Sequence, residues 1–155
     1  MTEHVGPYDK VIAEHHMLRR MMGELRGSLE DPTPGAPEQT EHAWADALAE
    51  RLLKLHDELV LHFREEEDSG FFDSLATEFP HLSHRLKQLE EEHAWVLREA
   101  REIVSSCMSF AEAGSGIGQE LADRTLHLLD RMEAHEQSEN ELIQRAYAVD
   151  LGEAG

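Results

Sequence analysis

Apolar residues recur along this chain at alternating intervals of three and four, the period of helices that each bury one stripe. The first stripe runs through Tyr8, Val11, His15, Leu18, Met22 and Leu25, and the second through Leu48, Leu52, Leu55, Leu59, His62 and Glu66. The third runs through Leu86, Leu89, His93, Val96, Ala100 and Ile103. The fourth takes in Leu121, Thr125, Leu128, Met132, His135, Glu139, Leu142 and Ala146. No segment alternates with the period of two that marks a half-buried strand. Pro and Gly punctuate the chain between stripes, in GSLEDPTPGAPEQ, around Ser69-Gly70 and Pro80, and from Gly114 to Gly118. The pattern predicts an all-α fold, an antiparallel up-down four-helix bundle with helices over about 7–27, 40–68, 81–112 and 118–148. A short extra helix or ordered loop is expected between helices 2 and 3, from Phe71 to Phe79. With 155 residues there is room for one sizeable core, so 1–155 is expected to form a single domain.

Each stripe also carries polar residues in core positions. Burying imidazole and carboxylate groups costs several kcal/mol unless they are hydrogen-bonded, paired or bound to a metal. Six such groups on four stripes need a common explanation. Their order also repeats: one inward His (His15) precedes an H-x-x-x-E pair (His62, Glu66), then His93 precedes a second pair (His135, Glu139). Glu14-His15 with Leu18 three residues on is echoed by Glu92-His93 with Val96. The chain has the form of a duplicated helical hairpin, whose halves would face one central cavity.

Residues four apart lie on one helix face, about 6 Å along the axis, so the His and Glu of each pair reach the same cluster. A carboxylate can bridge two cations through its two oxygens, whereas an imidazole normally serves one. Two bridging Glu and four terminal His therefore describe a dinuclear site. Mixed nitrogen and oxygen ligation suits iron or manganese better than magnesium or calcium, and zinc is chemically compatible. Glu is abundant enough here for one or two H-x-x-x-E pairs to arise by chance, so placement on the stripes, not the motif, carries the argument. His16 rivals His15 but falls off the stripe of Val11, Leu18 and Met22. His4, His42, His56, His81, His84 and His127 fall at the termini, in connections or off the stripes.

These residues resemble the hemerythrin-like, or HHE cation-binding, family, whose inward ligands follow the order H, HxxxE, H, HxxxE or close variants. The resemblance spans almost the whole chain, and HFREEEDSGFF and HEQSENELIQRAY look like the family's ligand-bearing second and fourth helices. It implies two iron ions held by His15, His62, Glu66, His93, His135 and Glu139, with Glu66 and Glu139 bridging. Such a site leaves room for a solvent bridge and an exogenous ligand. Oxygen-carrying hemerythrins have a further His one turn before the third-helix ligand, where this chain has Leu89, and an HxxxxD pair in the last helix, where it has His135 and Glu139. Both departures argue against reversible oxygen transport, and without the extra His the two irons are expected to be nearly equivalent.

Composition narrows the remaining choices. A net charge of -19, from 33 acidic against 14 basic side chains, repels phosphate backbones and anionic lipid, so neither nucleic acid nor membrane is an expected partner. The acidity alone does not indicate metal, because Glu-rich helices also carry charge for solubility. No apolar run approaches the roughly 20 residues that cross a bilayer. Cys107 has no second cysteine to pair with, and MTEHVGPYDK lacks a secretory layout, so a cytoplasmic setting is the default. Cys107 lies about 21 Å along the helix from His93, out of reach of the metals. Glu65, Glu67 and Glu92 read as a solvated face, from which one could supply an outer hydrogen bond to a ligand His.

The first functional expectation is a non-haem di-iron protein that binds or reacts with oxygen, peroxide or nitric oxide, for sensing or detoxification. Iron sensing or storage and a metal-free helical interaction module stay open beside it. The expected partner is a small diatomic or peroxide ligand, and the expected state a monomer or weak homodimer. Whether the site is catalytic does not follow from its ligands.

Overall fold

The computed structural model describes residues 9–30, 38–109 and 117–154. Every regular element among them is helical. The four long helices are α1 (Asp9–Glu30), α2 (Glu38–Asp68), α4 (Ser83–Met108) and α5 (Ile117–Ala154). The short α3 (Phe71–Glu78) and a 3₁₀ turn (Pro80–Leu82) join α2 to α4. Residues 7, 8 and 110–112 of the expected helices, and Tyr8 of the first stripe, lie outside the described residues. No helix among the described residues is long and apolar enough to cross a membrane.

The breakers act where their chemistry requires. Gly70 ends α2 in the left-handed region at φ 81°, which glycine enters without a Cβ penalty, and its carbonyl then accepts the Ser74 N–H at 2.8 Å to start α3. Pro80 has no N–H to donate and opens the 3₁₀ turn, so α4 begins at Ser83 and not at the expected 81. The α3 residues Phe71, Phe72 and Leu75 are buried, which gives this amphipathic turn a structural task.

The long helices form a ring of contacts in which α1 packs on α2 and α5, and α4 packs on α2 and α5. Each of the stripe positions within the described residues is buried. Two apolar clusters result. The larger includes Leu18, Met22, Leu52, Leu59, Val96, Ile103, Leu128 and Met132. The smaller gathers Val11, Phe71, Phe72, Leu75, Leu86, Leu89, Leu142, Ile143 and Ala146. Each fully buried Leu or Phe contributes on the order of 1.5–3 kcal/mol, so these clusters supply the driving force that tolerates a polar layer. On α1, α4 and α5 that layer falls between residues of the two clusters, with His15 between Val11 and Leu18, His93 between Leu89 and Val96, and His135 and Glu139 between Met132 and Leu142; on α2, His62 and Glu66 follow Leu59 of the larger cluster, and Phe71 of the smaller cluster comes next on α3. Cys107 is a buried free thiol in the larger cluster, its pKa pushed up to about 11 by burial and by Asp46.

Candidate metal centre

The polar layer brings together all six residues singled out in the sequence. None of His15, His62, Glu66, His93, His135 and Glu139 is more than 3% exposed. They form two overlapping groups: His15, His62, Glu66 and Glu139, and Glu66, His93, His135 and Glu139. Within each group one donor atom per residue lies within 4.8 Å of all the others. Both carboxylates belong to both groups, and each pair of imidazoles belongs to one.

The inward atoms are the imidazole Nε2 nitrogens. His15 Nε2 lies 3.5 Å from Glu66 Oε1 and 3.3 Å from Glu139 Oε1, and His62 Nε2 faces Glu66 Oε1. On the other side His93 Nε2 lies 3.3 Å from Glu66 Oε2, and His135 Nε2 lies 3.3 Å from Glu139 Oε1. Glu66 thus turns one oxygen to each half. None of these contacts has hydrogen-bond geometry, so four Nε2 atoms and both carboxylates are buried without a hydrogen-bond partner in the protein. Such groups are costly to bury unless something else satisfies them.

The outward Nδ1 atoms are all satisfied. His15 Nδ1–H donates to Asn140 Oδ1 at 2.8 Å and His62 Nδ1–H to Glu14 Oε2 at 2.5 Å. His93 Nδ1–H donates to Glu67 Oε1 at 3.1 Å and His135 Nδ1–H to Glu92 Oε2 at 2.7 Å. These partners present oxygen acceptors, so each ring carries a proton on Nδ1 and directs Nε2 inward, where it offers a lone pair once that nitrogen gives up its proton. The partners obey the internal duplication: Glu14 and Glu92 each precede the lone His of their hairpin, while Glu67 and Asn140 each follow the second His by five. The imidazole pairs match as well, with His15–His62 and His93–His135 centroids each 5.0 Å apart.

In the protein alone the cluster holds protons where cations would sit. Burial opposes the charge on His15, but Glu139 and Glu66 outweigh it and carry the pKa to about 10. For His135, burial is likewise overcome, by Glu139 and Glu92, again to about 10. Burial would raise Glu66, yet His15, His62 and His93 hold it well below the usual carboxylate range. The four imidazole nitrogens and two carboxylates fit divalent metal in donor type, in burial and in the orientation imposed from outside.

The chain matches the hemerythrin HHE cation binding domain over residues 6–147. It is a member of that family. No curated protein and no solved structure gives a significant match to the chain. As an HHE domain it is expected to bind cations, and the two His/Glu groups are where one could be held.

The other histidines stand apart from the cluster. His16 is exposed on α1, and His42, His81, His84 and His127 are also exposed, while His56 is half-buried beside Asp57. His4 lies outside the described residues. Three residues near the site were not anticipated in their roles; Glu14 accepts from His62, while Glu65 of the expected face pairs with Lys10 instead. Asn140 orients His15, and Glu136 is buried to 1% with neither oxygen hydrogen-bonded. Burial pushes the Glu136 pKa up to about 7 against the opposing charges of His15, His62 and Arg19. A signal for it exists: Ala122, Leu129, Glu136 and Ile143 recur every seven residues and form a second buried row on α5. The halves therefore differ in their surroundings, since the place one residue beyond the second-helix His is taken by Phe63 in the first hairpin and by Glu136 in the second.

Proposed function

We propose that this HHE domain is a non-haem di-iron protein that binds or reacts with oxygen, peroxide or nitric oxide, serving sensing or detoxification. The observation that carries this reading is the division of labour in the polar layer: four outward Nδ1 atoms paired and four inward Nε2 atoms with both carboxylates unpaired. Two metal ions held by the four imidazoles together with Glu66 and Glu139 would satisfy the orphaned atoms of these six residues. Iron bound there would supply the redox chemistry and open positions for a small ligand. The chain's own part is to hold the donors rigidly, through Glu14, Glu67, Glu92 and Asn140, and to exclude bulk water with the two apolar clusters.

The reading includes a single-domain antiparallel up-down bundle. It is supported by the order of the clusters along the chain: α1 and α4 run from the smaller cluster to the larger, α5 from the larger to the smaller, and α2 from the larger towards α3, which holds Phe71, Phe72 and Leu75 of the smaller. No further imidazole is expected from position 89, because Leu89 is fully buried among apolar residues. This favours turnover over oxygen carriage, in an acidic chain whose partners are small molecules, not nucleic acid or lipid.

Substitution tests the ligand assignment. Glu66→Ala and Glu139→Ala should each lose bound iron, whereas His16→Ala should retain it. Equal loss in all three would contradict the assignment. Stopped-flow mixing of reduced, iron-loaded protein with oxygen, peroxide or nitric oxide should produce a rapid change in the visible spectrum. A spectrum unchanged by all three would remove the reactive reading.

A further inference from the structure

Glu136 has no task in the dinuclear site as described. It is 1% exposed, both of its oxygens lack a hydrogen-bond partner, and its electrostatic neighbours include His15 and His62. It lies three residues from Glu133 and three from Glu139, so the carboxylates rise along α5 in steps of about 4.5 Å. Glu133 is half-exposed and salt-bridged to Arg26, Glu136 is buried, and Glu139 belongs to the metal cluster. A cavity of about 390 Å³, lined by Arg19, Glu133, Glu136, Gln137 and Asn140, connects the first two. A neighbouring cavity of about 250 Å³ shares Arg19 and Asn140 with it and reaches His15. Both open along the seam between α1 and α5.

The duplication supplies the contrast. Phe63 occupies the position corresponding to Glu136 in the other hairpin, where its ring stacks on His93 with centroids 3.9 Å apart. An aromatic ring seals that half, while an unpaired carboxylate lines the other.

We propose that Glu136 is a transit site for divalent cations, passing a metal ion from the α1–α5 seam to the half of the centre formed by His15, His62, Glu66 and Glu139. The proposal rests on the dinuclear reading above and adds a route and a direction to it. A carboxylate with no protein partner can take up a partly desolvated cation and release it to the richer donor set one turn further on. The half sealed by Phe63 then fills through the shared carboxylates Glu66 and Glu139.

Stopped-flow absorption of the metal-free full-length chain mixed with Co²⁺ tests this. Glu136→Gln should slow uptake at least ten-fold, with the same final Co²⁺ stoichiometry and final spectrum as the wild type. Glu136→Asp keeps a carboxylate and should recover much of the rate, and Glu91→Gln, which removes an exposed carboxylate on α4, should change it less than two-fold. Uptake by Glu136→Gln at the wild-type rate would overturn the proposal. So would loss of one Co²⁺ in that variant, which would make Glu136 a resident ligand, or equal slowing in Glu136→Asp and Glu136→Gln, which would make its role structural. A wild-type stoichiometry of one Co²⁺ would contradict the dinuclear reading alone, and the rate comparison would still decide the route.

Discussion

The ring of Phe63 lies flat against that of His93, with 3.9 Å between centroids and 5° between planes. The same ring meets His135 edge-on at 5.9 Å, so one aromatic side chain fixes both imidazoles of one half of the centre. Phe63 is also part of the larger apolar cluster, which ties the geometry of the site to the packing of the core. Truncation to Ala should cost about 3–5 kcal/mol, the range for emptying a buried aromatic position. Urea denaturation of the metal-free chain measures it. A loss below 1 kcal/mol would mean that the ring is not held in the core as described.

The outer carboxylates should matter through the rings they orient. Glu92 accepts from His135 Nδ1, whereas its neighbour Glu91 is exposed. Glu92→Ala should weaken metal affinity by about 10- to 100-fold, the usual cost of removing such a partner, and Glu91→Ala should leave it unchanged. Competition against a chelator of known affinity distinguishes the two, and equal affinities in both variants would refute the orienting role.

The titration of the empty cluster sets the stability of the metal-free chain. His15 and His135 have pKa values raised from 6.5 to about 10, so they add stability that is fully present below about 6.5 and lost as pH rises through about 10. Glu66 is shifted the other way, adding stability present above about 4.5 and lost as pH falls through its lowered value. The melting temperature of metal-free protein should therefore fall between pH 7 and pH 10. A flat or rising profile over that interval would contradict the protonated His–Glu contacts.

Metal and protons compete for the same Nε2 atoms, so metal should stabilise the fold and expel protons. Near pH 7.5 loading should release at least the two protons held by His15 and His135, detectable with a pH indicator in weak buffer. Chelation should lower the melting temperature, because metal binds the folded chain and its removal leaves a poorly solvated buried layer held only by protons. Equal melting temperatures for loaded and stripped protein would show that the layer is satisfied without metal.

The helical fold and the inward polar layer were legible because one periodicity reported both. His62 and Glu66 continue the spacing of Leu48, Leu52, Leu55 and Leu59, and all six are buried. Glu136 was illegible for the opposite reason. A single stripe per helix assigns 135 and 139 inward and leaves 136 among the charges, but α5 packs on both α1 and α4 and buries a second row. The outer partners fell between these cases. Glu92 and Glu67 were visible as a possible hydrogen-bonding face, while Asn140 stands where the duplicated position holds Glu67 and has no charge to mark it. The six candidate ligands repeat between the hairpins, but Phe63 against Glu136 gives the two halves of the cluster surroundings of different polarity.

If the buried His and Glu layer holds two iron ions, metal analysis of protein purified without added metal, alongside its visible spectrum, will reveal them. The expected result is about two irons per chain, as dinuclear coordination by six donors requires, with an absorption spectrum of an oxo- or hydroxo-type iron pair. Zinc alone, or no metal after careful anaerobic reconstitution with ferrous iron, would contradict it.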